Sequence, residues 1–247
     1  MEAYTNFAQV YDLFMDHVPY EEWSVYIRTF LREYGIESGV LCDLGCGTGK
    51  MTRLLADAGY DMIGIDISQD MLAIASEGGE GEILYLCQDM CDFELYGTTT
   101  AMVCVCDSMN YLLEESEILK TLRCVNRYLE PGGIFIFDLN TIYKYERLLG
   151  DTTICENRKE SSFIWENYYD KEEQINEYDL TFFIRERGNL YRKFEEIHYQ
   201  RGYSLEKIRT LIEEAGMEFI AAYEAGTKEP PREESERIYV IAREKGK

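Results

Sequence analysis

A chain of 247 residues, 46% of them hydrophobic, can bury a full core, and α/β folds often reach this length as one unit. The formal charge is −22; because nucleic-acid affinity comes largely from Lys and Arg neutralising phosphates, a nucleic acid or an anionic membrane is disfavoured as a partner. The start, MEAYTNFAQVYD, lacks a basic stretch with an apolar run behind it, and no segment approaches the roughly 18 consecutive apolar residues that span a bilayer, so a cytoplasmic protein is expected.

Residues 20–34 come first, with Trp23, Ile27, Phe30, Leu31 and Tyr34 at helical spacing, which predicts a helical cap. From about residue 37 to 140, the apolar runs GVLCDL, YDMIGID, EILYLCQ, TAMVCVC and GIFIFDL alternate with amphipathic stretches at 50–59, 69–76 and 114–129. That alternation predicts a parallel sheet with right-handed helical crossovers. From about 151 to 201 aromatics become dense, and Tyr178, Leu180, Phe182 and Ile184 alternate as in an antiparallel strand with one buried face; Gly188-Asn189 suits a hairpin turn. A helix is predicted over 204–215, capped by Ser204 and stopped at Gly216, with strands near 218–224 and 237–243. The expected division is a core with its N-terminal cap over 1–150, a β-rich lid over 151–203, and a helix with a hairpin over 204–247 that completes the core. Most of the eight cysteines, such as Cys42, Cys87, Cys104 and Cys106, lie in apolar runs and read as reduced, buried thiols. Cys42/Cys46 and Cys87/Cys91 lack a matching pair to complete a zinc set, so no metal is expected.

The strongest local signal is Asp43-Leu44-Gly45-Cys46-Gly47-Thr48-Gly49, between an apolar strand and a helix. A dinucleotide fingerprint would put its third glycine at position 50, which is Lys50. A phosphate-cradling loop would need Ser or Thr at Met51 and glycine at Leu44. Neither fits. Further polar residues fall at the ends of the next predicted strands, where open α/β sheets bind ligands. Asp66, with Ile67 beside it, lies about 20 residues past the loop, where an acid accepts ribose hydroxyls. Asp89 could accept from an adenine amino group while Met90 packs on the ring, and Cys106-Asp107-Ser108-Met109-Asn110-Tyr111 ends the fourth strand.

Together these residues resemble the class I S-adenosylmethionine-dependent methyltransferases, well over residues 40–138 and more weakly along the whole chain. The resemblance implies a Rossmann-like, seven-stranded, mostly parallel sheet with helices on both faces, closed by an antiparallel hairpin and carrying the β-rich antiparallel insertion. It implies that S-adenosylmethionine is held by Tyr4, Asp43, Gly45, Gly47, Asp66, Ile67, Asp89, Met90, Asp107 and Tyr111. Tyr4…Phe7-Ala8…Tyr11-Asp12, Phe137-Asp138-Leu139-Asn140-Thr141, His198-Tyr199-Gln200-Arg201 and Ser235-Glu236-Arg237-Ile238 are similar to a bacterial subgroup of small-molecule type.

Methyl transfer from a sulfonium is an in-line displacement, so the protein mainly positions the acceptor, excludes water and, where needed, removes a proton. The expected catalytic residues are His198, whose free pKa lies near working pH, with Tyr11 and Asn140. Asn110 and Tyr111 are expected to face the cleft, His17 to be an interhelical residue, and Arg201 to bind an acceptor carboxylate or pair with an acid. The aromatic insertion reads best as a lid over a small-molecule acceptor, N or O being expected over C; the alternative is a packing layer or a homodimer surface. The competing functions are a non-catalytic S-adenosylmethionine binder, a methyltransferase of protein or RNA, an aminopropyl transferase, and a nicotinamide oxidoreductase, against which Lys50 argues.

Overall fold

The computed structural model describes residues 15, 18–77 and 83–246. Helix α1 (Tyr20–Glu33) leads into β1 (Val40–Leu44), α2 (Lys50–Asp57), β2 (Asp61–Asp66), α3 (Gln69–Glu77) and β3 (Leu84–Cys87). Then come β4 (Thr99–Cys104), a 3-10 turn at Ser108–Tyr111, α4 (Glu115–Tyr128), β5 (Leu129–Asn140) and a π-helical turn at Lys144–Leu149. The insertion contributes β6 (Thr153–Asn157), β7 (Ser161–Asp170), β8 (Ile175–Arg187) and β9 (Leu190–Arg201). Helix α5 (Leu205–Glu214) and strands β10 (Met217–Glu224) and β11 (Arg237–Glu244) follow.

Seven strands form one sheet in the order β10-β11-β5-β4-β1-β2-β3. All pair in parallel except β11, which runs antiparallel to both β5 and β10. The parallel part is what the strand–helix alternation predicts, and the seven-stranded Rossmann-like whole is what the family resemblance implies. Its central strands are largely apolar because both faces are covered, with Asp43 and Asp138 as buried exceptions near their carboxyl ends. In β5, Ile134 and Ile136 pack toward Ile27 and Phe30 of α1 and Leu55 of α2, whereas Phe135 and Phe137 pack toward Leu122 of α4 and Ile212 of α5. Each such fully buried side chain contributes about 1.5–3 kcal/mol. Ser204 caps α5 as predicted, its Oγ accepting from Lys207 N at 3.2 Å. Cys87, expected inside, is exposed, because β3 is the edge strand of the sheet.

The insertion is a separate antiparallel sheet in the order β6-β7-β8-β9. Gly188 turns β8 into β9 with φ +59°, a conformation open to glycine. Phe163, Phe182 and Phe194 stand opposite one another across three strands and close the inner face. Among the contacts that fasten this sheet to the core, Asn110 Nδ2 donates to Arg201 O at 2.8 Å, and Gln200 Nε2 donates to Asp107 Oδ2 at 2.7 Å. Among the described residues no helix is long and apolar enough to cross a membrane, and no group of three or more His, Cys, Asp or Glu is placed to hold a metal.

Candidate active site

The carboxyl ends of β1 and β2 build the first cavity. Gly45, Gly47 and Gly49 have φ of +67°, +54° and +75°, so this loop needs glycine for conformation alone. Space separates their tasks. A Cβ on Gly45 would lie 2.7 Å from Ser108 Cβ and Oγ, so the loop packs directly on the turn after β4. A Cβ on Gly47 would meet nothing within 4 Å, because that side of the loop faces the open cleft. Gly47 N donates to Asp66 Oδ2 and Ser68 N to Asp66 Oδ1, both at 2.8 Å, which holds the carboxylate at the end of β2. A carboxylate has about four lone-pair sites, so it can accept two further hydrogen bonds.

Beneath the loop, Asp43 is 1% exposed and accepts from Thr52 Oγ1 at 2.6 Å. Burial pushes its carboxyl up to about 7, against the Thr52 bond and with help from the charge on Asp66. Asp43, Gly45, Gly47 and Asp66 all line this cavity. So do Met90, Tyr111, Asp89, whose Oδ1 accepts from Cys91 N at 2.8 Å, and Ile67, which is 66% exposed at the rim. Tyr20 and Ser108, to which the sequence assigned no role, also line it.

A second cavity lies between the core and the insertion. Trp23, Trp165, Tyr178 and Phe182 give it aromatic walls; Asn140, Lys144, His198 and Gln200 supply polar groups. Cys106 and Tyr111 line both cavities. At that junction Cys106 and Asp107 both take left-handed backbone angles, φ +62° and +54°, which costs of order 1–3 kcal/mol each for residues with a Cβ. The strain is held by a network that ties this turn to α1, β5, β8, β9, β11 and the π-helical turn. Asp107 N donates to Asp138 Oδ1 at 2.9 Å, and Arg237 donates to Asp107 Oδ1 and to Asp138 Oδ2 while its guanidinium lies 5.2 Å over the Trp23 ring. Gln200 completes it, accepting from Tyr145 OH at 2.9 Å and Tyr178 OH at 2.7 Å while donating to Asp107.

Several sequence expectations move here. Asp107, expected on the cofactor, lines the second cavity instead, because the left-handed turn and Arg237 draw its carboxylate toward β11. Asn110 faces neither cavity; it is fully buried, accepting from Asn140 N at 2.9 Å and donating to Asn140 O at 3.0 Å. Asn140 lines the second cavity, where its Oδ1 accepts from Lys144 Nζ at 2.9 Å. His198 also lines it, 1% exposed, with Nε2 at 3.1 Å from Glu196 Oε2 and its ring edge-on to Tyr111 at 6.0 Å. Arg201 neither faces the cavity nor forms an ion pair with a described acid; its Nη1 donates to Leu113 O at 2.7 Å. Tyr4, Tyr11 and His17 lie outside the described residues. The sequence left Arg237, Asp138, Gln200 and Lys144 without a role, although three of them sit inside quoted motifs.

Residues 41–133 match a family described as a methyltransferase domain. A protein of Geobacillus sp. (strain WCH70), named provisionally as a methyltransferase, is 33% identical over 245 residues, spanning 98% of this chain and 99% of its own. The chain belongs to the methyltransferases. A crystal structure of an S-adenosylmethionine-dependent methyltransferase from Clostridium acetobutylicum ATCC 824 superposes with a TM-score of 0.87 at 28% identity, over 98% of this chain and 99% of that one. The cofactor of this methyltransferase is therefore S-adenosylmethionine. More distantly, residues covering 53% of the chain are 29% identical to dTDP-3-amino-3,6-dideoxy-alpha-D-glucopyranose N,N-dimethyltransferase of Streptomyces fradiae, 52% of whose length is matched. The first cavity fits the cofactor: the open face of Gly47 admits a ligand against bare backbone, and Asp66 beside it retains acceptor capacity for ribose hydroxyls.

Proposed function

We propose that this enzyme methylates an amine nitrogen of a small molecule seated in the aromatic cavity. The observation that carries this reading is the junction: Cys106 and Tyr111 line both cavities, so a donor in the first and an acceptor in the second meet there. The insertion roofs the second cavity with side chains of β7, β8 and β9, which supports a small acceptor and keeps water from it. When bound, S-adenosylmethionine supplies a methyl group activated by a positively charged sulfur, which a lone-pair nucleophile takes by in-line displacement. In the first cavity we assign the donor to Asp43, Gly45 and Gly47 at its methionyl part, Asp66 and Ile67 at the ribose, and Asp89 and Met90 at the adenine. Aromatic faces suit an amine in either charge state, since a cation is attracted to them. The Streptomyces fradiae relative is named for methylating an amino group, which supports nitrogen over oxygen.

An ammonium has no lone pair, so it must lose a proton before transfer. We assign that proton to His198. Glu196 accepts from its Nε2, which orients the ring and stabilises the imidazolium formed.

The test is to incubate the purified enzyme with S-adenosylmethionine and matched amines and alcohols, and to assign the product by mass spectrometry. Methylated amine with an equal amount of S-adenosylhomocysteine is expected. Asp66→Ala should lose cofactor binding by calorimetry, whereas His198→Asn should keep it while turnover falls about 10²–10⁴-fold. Methylated alcohols alone, or no turnover of any amine, would refute the reading.

A further inference from the structure

Among the described residues, the second cavity holds one charged group that neither the network around Arg237 nor the proton transfer uses. Lys144 starts the π-helical turn after β5, and such turns occur frequently at functional sites. The turn is built for rigidity: Lys144 N donates to Thr141 Oγ1 at 3.2 Å, Thr141 Oγ1 donates to Ser235 O at 2.6 Å, and Gly150 N donates to Tyr145 O at 2.7 Å. The Lys144 side chain lines the cavity, and its Nζ donates to Asn140 Oδ1, a neutral acceptor, at 2.9 Å. Among the described residues it forms no ion pair within 4.0 Å, whereas Arg237 in the same wall binds both Asp107 and Asp138. An ammonium has three donors, so two of those of Lys144 are left for a ligand.

We infer that Lys144 is the specificity residue for an anionic group, a carboxylate or a phosphate, on the acceptor molecule. The inference rests on the second cavity being the acceptor site and adds a substrate class: an amine that also carries an oxyanion. Coulombic and hydrogen-bond chemistry support it. Placing a bare cation in a partly enclosed site is unfavourable, and burial, with the charge of Arg237 adding to it, holds the Lys144 ammonium below the ordinary lysine value. An arriving oxyanion relieves both effects and makes charge-assisted bonds, the strong kind. The rival role is a counter-charge for the network, since Asp107, Asp138 and Glu236 act on Lys144 from the surrounding elements, with His198 across the cavity. That role would make Lys144 matter for stability and not for the choice of ligand.

Both tryptophans of the chain, Trp23 and Trp165, line this cavity, so their fluorescence reports its occupancy. The experiment titrates benzoate, phenyl phosphate and neutral benzyl alcohol into the enzyme loaded with S-adenosylmethionine. At least one anion should bind about tenfold or more tightly than benzyl alcohol, as one charge-assisted bond implies, and the stronger of the two says whether carboxylate or phosphate is preferred. Lys144→Met should erase the preference, and Lys144→Arg should retain it. In the unsubstituted enzyme the benzoate preference should disappear as pH rises, at a pH below the ordinary lysine range. Equal binding of anions and alcohol, or a preference that survives in folded Lys144→Met, overturns the assignment. If that variant does not fold, the pH series alone decides, and a preference unchanged through the lysine range overturns it. Methyl transfer to 4-(aminomethyl)benzoate is measured separately: an anion preference with no methylated amine sinks the amine reading and leaves Lys144 standing, and methylation without the preference does the reverse.

Discussion

Replacing Arg237 by Met tests whether the junction between the cavities is held electrostatically. Arg237 is bound to both Asp107 and Asp138; their side chains are 21% and 0% exposed, and its own 14%. Removing one partner of a buried pair leaves the other charge desolvated and costs about 3–5 kcal/mol. Nearly all of that should come from Asp138, since Asp107 reaches some water and keeps Gln200 as a donor. Against a total stability of about 5–15 kcal/mol, the loss should be evident in urea unfolding followed by circular dichroism at pH 7.5. Asp138 already has its carboxyl held above the usual range, first by burial, with Arg237 opposing. A carboxyl raised in the folded state holds protons that the unfolded chain releases, so stability falls as pH rises above the unfolded value. Losing Arg237 must raise it further, and the variant should regain stability toward pH 5. Asp138→Asn in the Arg237→Met background should recover at least about 1 kcal/mol by removing the orphaned charge. A loss below about 1 kcal/mol in the single variant, or no recovery in the double one, would show that the network carries no such strain.

Two further outcomes separate conformational need from space and charge. Gly45→Ala and Gly47→Ala both place a Cβ at positive φ, costing about 1–2 kcal/mol, but only at Gly45 does it strike Ser108, at 2.7 Å. Gly45→Ala should therefore unfold at lower temperature than Gly47→Ala, and adding Ser108→Gly should return part of the difference; identical melting of the two variants would refute the packing argument. Asp43, whose carboxyl is raised to about 7, should make stability decline as pH rises from about 4 to 7 and level off above, and Asp43→Asn should flatten that decline in unfolding curves taken across the window.

How far the sequence could be read depended on how local the physics was. Strand–helix alternation, the Ser204 cap and the Gly188 turn are set by residues within a few positions of each other, and all three appear where periodicity and turn chemistry put them. The glycines at alternate positions after β1 likewise announce a backbone that a ligand can approach. Asp107 shows where such reading stops. Its place after β4 suggested cofactor contact, but its carboxylate is claimed by Arg237, 130 residues away, and by Gln200, 93 residues away. Arg201 was offered the choice of a ligand or an acid and took a backbone carbonyl, because β9 ends against the turn that follows Tyr111.

The sequence by itself therefore determined the class of fold, the glycine loop that lines the first cavity and the acid that follows it on β2, since each depends on spacing along one strand–loop–helix unit. Tertiary structure alone decided the second cavity, which we propose holds the acceptor. It draws on α1, the turn after β4, the π-helical turn, three insertion strands and β11, and no pattern within any one of them says that they meet. Nor could the sequence tell that, of the two cations brought to that wall, Arg237 would be bound by two carboxylates and Lys144 by a neutral amide. Charge pairing is settled by distance in space, and here that distance is set by β5, β11 and the turns after β4 and β5 meeting in the folded core.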